Sequence, residues 1–109
     1  MMNECDFIGN FTTDPILQKM HDDKISVLNF RIAVHRKFKS GAGELKKETS
    51  FLDMEAFDSG AETIVRNFRK GDTIFIKACA RNIPQSSKIK FRVNSFYPIT
   101  RKASNDVAQ

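Results

Sequence analysis

The sequence predicts an all-β fold with one short helix, and three observations predict it. Hydrophobic and polar residues alternate with a period of two over most of the chain, which is typical of strands with one buried face. Only residues 61–70 space their apolar side chains as a helix does. The length of 109 residues suffices for one domain with a single hydrophobic core and hardly for two.

The first predicted strand runs from Cys5 to Phe11 and ends at residues 12–15, a cluster of turn-forming side chains. Residues 16–20 continue this strand after the break. The second strand, Ile25 to Val34, is predicted to turn one apolar face toward the core, composed of Leu28, Phe30, Ile32 and Val34. Residues 39–44 then form a flexible loop with basic flanks.

The third predicted strand, Glu48 to Phe57, is followed by the short helix, Ala61 to Lys70. Asp58 or Ser59 is expected to cap the first N–H groups of this helix. Gly71 follows its last turn, where a left-handed residue is favoured.

Two further strands, Thr73 to Arg81 and Lys88 to Tyr97, complete the predicted domain. The order is three strands, one helix and two strands, which is the order of a five-stranded OB barrel with its helix between strands three and four. An antiparallel meander with a peripheral helix would give the same order. We assign residues 1–102 to this domain and expect residues 103–109 to form a short flexible tail.

The charge of the chain is uneven. Its formal net charge is +5, but residues 66–102 hold ten basic side chains against one acidic side chain, and residues 31–47 hold six against one. Such blocks attract phosphates, although a solvated surface is the alternative. The predicted phosphate-binding side chains lie in or beside these blocks: Arg31, Arg36, Lys37, Lys39, Lys46, Lys47, Lys77, Arg81, Lys88, Lys90 and Arg92.

Aromatic side chains lie among these cations. If Leu52, Met54 and Ala56 point into the core, then Phe51 and Phe57 point outward on the third strand. A stacked nucleobase would cover such rings, as would a subunit interface, and a β-bulge could return one ring to the core. Asp53 and Glu55 share this outward face. We expect them to be solvated or paired with lysines, and binding of a cation is the alternative.

Phe38 stands in the predicted loop run that follows the second strand, among four neighbours that can carry positive charge. This arrangement suits single-stranded nucleic acid, because the ring can stack on a base while the cations meet phosphates. The alternative is a phenylalanine that anchors the loop to the body of the domain.

The sequence indicates no enzymatic activity, no cofactor and no metal. It contains neither a glycine-rich phosphate loop nor a nucleophile elbow. The run from His21 to Asp23 is interpreted as a solvated turn rather than a metal site. Cys5 and Cys79 are interpreted as small buried hydrophobic residues in a reducing compartment. No apolar run approaches the roughly 20 residues of a membrane span, so no membrane partner is expected.

Four motifs in succession resemble those of the bacterial-type single-stranded DNA-binding proteins. Residues 8–15, Ile-Gly-Asn-Phe-Thr-Thr-Asp-Pro, resemble the first-strand motif, and residues 29–34, Asn-Phe-Arg-Ile-Ala-Val, resemble the second-strand pattern. Residues 48–57 are similar to the third strand of the family. Residues 68–76, with Lys70-Gly71 at their centre, match a further stretch closely.

This resemblance implies an OB fold that binds single-stranded DNA without sequence preference, in replication, recombination and repair. It places Phe38, Phe51 and Phe57 where the family keeps base-stacking aromatics. It also implies assembly with copies of the same chain, as a tetramer or alternatively a dimer, in the cytoplasm beside the nucleoid or in a host cytoplasm. A stacking tryptophan of many members falls near Gln85, but this chain has no tryptophan.

The chain departs from the family pattern at its end. Residues 105–109 carry one acidic and no aromatic side chain, so no acidic recruitment tip for replication proteins is expected. The chain is therefore interpreted as a shortened member or as a minimal member from a phage or another mobile element. The alternative function is that of a primosomal replication-restart type OB adaptor, which binds single-stranded DNA and protein partners.

Overall fold

Strands and one helix make up the computed structural model, which describes residues 1–99. The elements are β1 (Cys5–Phe11), β2 (Gln18–Met20), β3 (Ile25–Lys39), β4 (Leu45–Phe57), α1 (Asp58–Asn67), β5 (Thr73–Asn82) and β6 (Ile89–Ile99). The expected tail, residues 103–109, lies outside the described residues.

Five of these strands close into a ring. The sheet runs in the order β1-β5-β6-β4-β3-β2, and an additional pairing joins β1 to β3. The pairing of β4 with β6 is parallel, and the other pairings are antiparallel. The predicted five-stranded barrel with its helix before the last two strands is therefore confirmed, and the meander is wrong.

Gly9 permits the ring to close. A Cβ atom at this position would lie 2.8 Å from the carbonyl oxygen of Ala33 on β3, closer than such atoms can approach. The neighbouring Asn10 donates from Nδ2 to the carbonyl oxygen of Gly71 at 3.2 Å and to Oγ1 of Thr73 at 2.7 Å. The Gly-Asn pair of the first-strand motif thus fixes β1 between two neighbouring strands.

The core lies inside the ring and under α1. The face predicted for the second strand is buried at Leu28, Phe30 and Ile32, as Met54 and Ala56 are on β4, whereas Val34 is only half-buried. Alternation does not account for Ser26 and Val27, which are both buried at the start of β3. The Oγ of Ser26 donates to Oε2 of Glu62 at 2.7 Å, which ties the helix to this strand.

Several sequence-based boundaries are wrong. Residues 18–20 form a separate strand that pairs with β3, instead of continuing β1. The helix starts at Asp58 without a side-chain cap and ends at Asn67, although Gly71 has the expected positive φ of 90°. The cysteines, predicted to be buried, are free thiols and only half-buried.

The hairpin of β3 and β4 is longer than predicted. Its pairing continues to Lys39 opposite Leu45. The two strands therefore form a regular antiparallel ribbon that projects beyond the barrel. Phe38 is consequently a strand residue opposite Lys46, and the prediction that it lies in a loop is wrong.

A β-bulge on β6 changes which aromatics face the core. Lys77 pairs with Ser95 and the next residue, Ala78, pairs with Val93, so that Asn94 is the extra residue. The bulge turns Phe96 against the core and Tyr97 outward. The strand continues through Pro98 to Ile99, beyond its predicted end.

Candidate nucleic-acid interface

The outer face of β3 and β4 carries many of the predicted site residues. Directly opposite residues of an antiparallel pair point to the same side. The register pairs Arg31 with Asp53, Ala33 with Phe51 and Lys37 with Lys47, so these side chains share one face. Phe57, opposite Val27, lies on the same face at the barrel end. The predicted outward orientation of Phe51 and Phe57 is confirmed.

The two rings have different surroundings. Phe51 is 61% exposed and lies opposite the small side chain of Ala33. Phe57 is half-buried, and the guanidinium carbon of Arg92 lies over it, 4.8 Å from the ring centroid. Phe51 therefore presents an open aromatic surface, whereas a cation already covers Phe57.

Phe38 lies on the other face of the ribbon. Its position alternates with those of Lys37 and Lys39, and its partner is Lys46. The guanidinium carbon of Arg36 lies 4.6 Å from the ring centroid, and Arg36 also contacts Glu48 at 3.3 Å. The structure therefore brings Phe51 and Phe57 together on one face but separates Phe38 from them.

A buried carboxylate occupies the centre of the outer face. Glu55 is only 3% exposed because two arginines, one from β5 and one from β6, cover it. Arg81 donates to both carboxylate oxygens, from Nε to Oε2 and from Nη2 to Oε1 at 3.1 Å, and Arg92 donates from Nε to Oε2 at 2.9 Å. The expectation that Glu55 is solvated is wrong, and its partners are arginines rather than lysines.

The titration of Glu55 reflects these contacts. Burial by itself raises the pKa of its carboxyl group, but the hydrogen bonds and charges of Arg81 and Arg92 outweigh burial, so the pKa lies below its ordinary value. The same contact with Glu55 raises the pKa of Arg81. Glu55 and Arg81 are consequently both charged at neutral pH.

Other predicted cations also have partners. Arg31 contacts Asp53 at 2.9 Å in an exposed pair, and the hydrogen bond and charge of Asp53 raise the pKa of Arg31. Lys90 donates to Oδ1 of Asn29. Lys77 contacts Asp6 on β1 at 3.5 Å and lies over Phe75, so its contacts are on another wall of the barrel.

The remaining predicted cations are unpaired. Within residues 1–99, the side chains of five of the predicted phosphate-binding lysines make neither an ion pair nor a hydrogen bond: Lys37, Lys39, Lys46, Lys47 and Lys88. Four of them lie on the projecting part of the hairpin. Lys37 and Lys47 are directly opposite each other, a like-charge pair that an anion between them would stabilise.

An open groove of about 500 Å³ lies beside Lys88. Its walls include Thr12, Arg31, Asp53, Ile83, Lys88 and Lys90. Sequence reasoning missed Thr12 and Ile83, because they reach the groove from the segments that follow β1 and β5. No short-range pattern signals this approach, which depends on closure of the barrel.

Residues 1–99 include neither a side-chain cluster for a metal ion nor a helix that could cross a membrane. No group of three or more His, Cys, Asp or Glu side chains there could hold a metal ion. The same residues include no helix of the length and apolar character that crossing a bilayer requires.

Comparison with known proteins finds one family. The model of the Single-strand binding protein family matches residues 2–92. A single-stranded DNA-binding protein of Aquifex aeolicus is 30% identical over 77 residues, which are 71% of this chain and 52% of that protein. Single-stranded DNA-binding protein 3 of Listeria innocua is 34% identical over 71 residues, 65% of this chain and 42% of that protein. The chain thus spans about half the length of these curated relatives.

Solved structures show the same fold. A deletion mutant of the single-stranded DNA binding protein from Thermus aquaticus superposes with a TM-score of 0.81 at 17% identity, over 94% of this chain and 52% of that chain. The Plasmodium falciparum SSB in complex with single-stranded DNA gives a TM-score of 0.76 at 14% identity, over 92% of this chain and 97% of that chain. At these identities the similarity establishes the OB fold.

Proposed function

We propose, on the premise that this chain belongs to the Single-strand binding protein family, that it binds single-stranded DNA without sequence preference. The observation that carries the proposal is the juxtaposition on the β3–β4 ribbon of an open aromatic ring and unpaired lysines. Phe51 is 61% exposed, and Lys37 and Lys47 share its face without an acidic partner among residues 1–99.

Each part of this surface has a physical role. A ring of Phe51 can stack on any base, because every base has a flat face, and this explains binding without sequence preference. Unpaired bases are selected because a duplex hides those faces. The lysines neutralise phosphates and release counterions, so that binding weakens as salt rises. The chain forms or breaks no covalent bond in this role, which is to cover exposed strands during replication, recombination and repair, in the cytoplasm.

We propose further that copies of this chain assemble, as a tetramer or alternatively a dimer. The outer face of β1, β5 and β6 exposes Ile8 by 56% and Tyr97 by 51%, and Tyr97 stacks on Phe75 with 5.9 Å between ring centroids. Among residues 1–99, the edge of β1 opposite β5 has strand partners only at Asn10 and Phe11. An apolar face beside an open strand edge suits a second copy.

Fluorescence anisotropy with a labelled oligo-dT tests the DNA proposal. We expect tight binding that weakens steeply between low and moderate salt, and far weaker binding of a duplex of the same length. A parallel titration with oligo-U compares RNA. Equal affinity for duplex and single strand, or an affinity that salt does not change, would contradict the proposal.

Sedimentation equilibrium of Ile8→Asp tests the assembly proposal. We expect this variant to sediment as a smaller species than the unmodified chain, because a buried unpaired carboxylate at an interface costs several kcal/mol. Ile16→Asp is the matched control, because Ile16 is also exposed but follows β1 outside the apolar face. An unmodified chain that sediments as a monomer would contradict assembly.

A further inference from the structure

The carboxylate of Glu55 is unusual for its place. It lies on the outer face of the barrel, on a surface whose other charges are mostly positive, yet it is the most buried charged side chain there, at 3% exposure. A carboxylate on a surface that attracts phosphates lowers the local positive potential, so its presence opposes DNA binding if charge alone matters. Its role therefore requires an explanation other than net charge.

Its contacts supply that explanation. The Oε2 atom of Glu55 accepts from Nε of Arg92 at 2.9 Å, and the same guanidinium lies over the ring of Phe57. Arg81 donates to both oxygens of the same carboxylate and holds it in place from β5. A guanidinium with Nε engaged in this way keeps its outer N–H groups free for another acceptor, because the fork of donors is planar and rigid.

The pairing of strands places these groups together. Glu55 and Arg92 are register partners in the short parallel pairing of β4 with β6, which covers two residue pairs. Phe57 lies two residues further along β4, on the same face. The ring, the carboxylate and the guanidinium thus form one assembly where β4 pairs with β6.

We infer that Glu55 is a positioning residue for single-stranded DNA: it holds Arg92 over Phe57, so that a base meets this guanidinium and a phosphate meets its outer N–H groups. The inference rests on the proposed function. Guanidinium groups stack on bases as aromatic rings do, and a fixed guanidinium loses less side-chain entropy on binding than a free one. The half-buried ring of Phe57 then acts through Arg92 rather than as a free stacking surface.

The test compares two carboxylates on the same face of β4. Glu55→Gln removes the negative charge and leaves one oxygen, instead of two, to accept hydrogen bonds from the arginines. We expect it to weaken oligo-dT binding about three- to tenfold. Asp53→Asn removes an equal charge from an exposed pair with Arg31, and we expect it to strengthen binding. Equal or stronger binding by Glu55→Gln would overturn the inference, because charge alone would then account for both variants.

A double-mutant cycle separates positioning from a general structural role. In an Arg92→Gln background, Glu55→Gln should have little further effect on affinity, because the guanidinium that Glu55 positions is already absent. An undiminished effect in that background would show that Glu55 acts through the fold instead, and would overturn the inference. The thermal midpoint of each variant confirms that folded protein is compared.

Arg92→Lys keeps the test decisive if Glu55→Gln does not fold. Lysine retains the charge but lacks the planar fork, so the inference expects weaker oligo-dT binding with an unchanged number of cations. Affinity equal to that of the unmodified chain would overturn it. If the unmodified chain binds no oligo-dT, the proposed function itself fails. If the unmodified chain binds oligo-dT and Arg92→Lys binds it equally well, only the positioning role is refuted.

Discussion

Phe51 and Phe57 lie six residues apart on the same face of one strand, yet they occupy opposite kinds of environment. Around Phe51 the ring is exposed, and the neighbouring lysines of the projecting hairpin are unpaired within residues 1–99. Around Phe57 the ring is half-buried and an arginine held by Glu55 covers it. The comparison teaches that alternation decides which way a side chain points, whereas neighbouring strands decide whether its surface is free.

The largest expected effect is on binding at the open ring. Phe51→Ala should weaken oligo-dT binding by about 1–3 kcal/mol, because one stacking surface is lost. Phe57→Ala should cost less, because its ring is already covered by Arg92. Anisotropy titrations of both variants measure the difference. A larger loss of oligo-dT binding in Phe57→Ala than in Phe51→Ala would contradict this difference between the two rings.

For the free energy of unfolding, we expect the surroundings of Phe57 to matter more than the open ring of Phe51. At neutral pH, Glu55→Gln should lower the free energy of unfolding by about 1–2 kcal/mol, since the partly exposed arginines retain access to water and reduce the cost of a broken charged pair. Phe51→Ala should change the free energy of unfolding little, because its ring is mostly exposed. Urea denaturation measures both variants.

The contribution of Glu55 should depend on pH with a definite sign. Its pKa is lower in the folded chain than the ordinary value of 4.5, so its stabilising effect is complete above that value. It is lost as the pH falls through the folded pKa, when the carboxylate takes up a proton. The stability gap between the unmodified chain and Glu55→Gln should therefore narrow below about pH 4.5, and a constant gap down to pH 2 would refute the assignment.

The smallest expected effect concerns the unpaired cations. Lys47→Gln should reduce the slope of log K against log salt by about 0.7, the value for one phosphate contact on a single strand. Lys24→Gln is the control, because Lys24 is exposed in the turn before β3, away from the outer face. Identical slopes for Lys47→Gln and the unmodified chain would remove Lys47 from the interface.

The sequence by itself determined the succession of β1, β3, β4, α1, β5 and β6 along the chain and the core face of β3, but it did not separate β2 from β1. These depend on local properties: the alternation of Leu28, Phe30 and Ile32 on β3, and the helical spacing of Ala61, Ile64 and Val65 on α1. The outward orientation of Phe51 also followed from the period of two. The roles of Phe51, Phe57, Phe38 and the lysines in DNA binding stay predictions.

Only the tertiary structure decided which charges are paired and which rings are free. The contacts of Glu55 with Arg81 and Arg92 join residues 26 and 37 positions apart, and no local pattern encodes such pairs. The bulge at Asn94 reversed the sides of Phe96 and Tyr97, because one inserted residue shifts every later side chain of a strand. Likewise, Phe38 lies in β3 and not in a loop, because pairing with β4 extends β3 to Lys39. Such pairing depends on both strands and not on the local sequence of one.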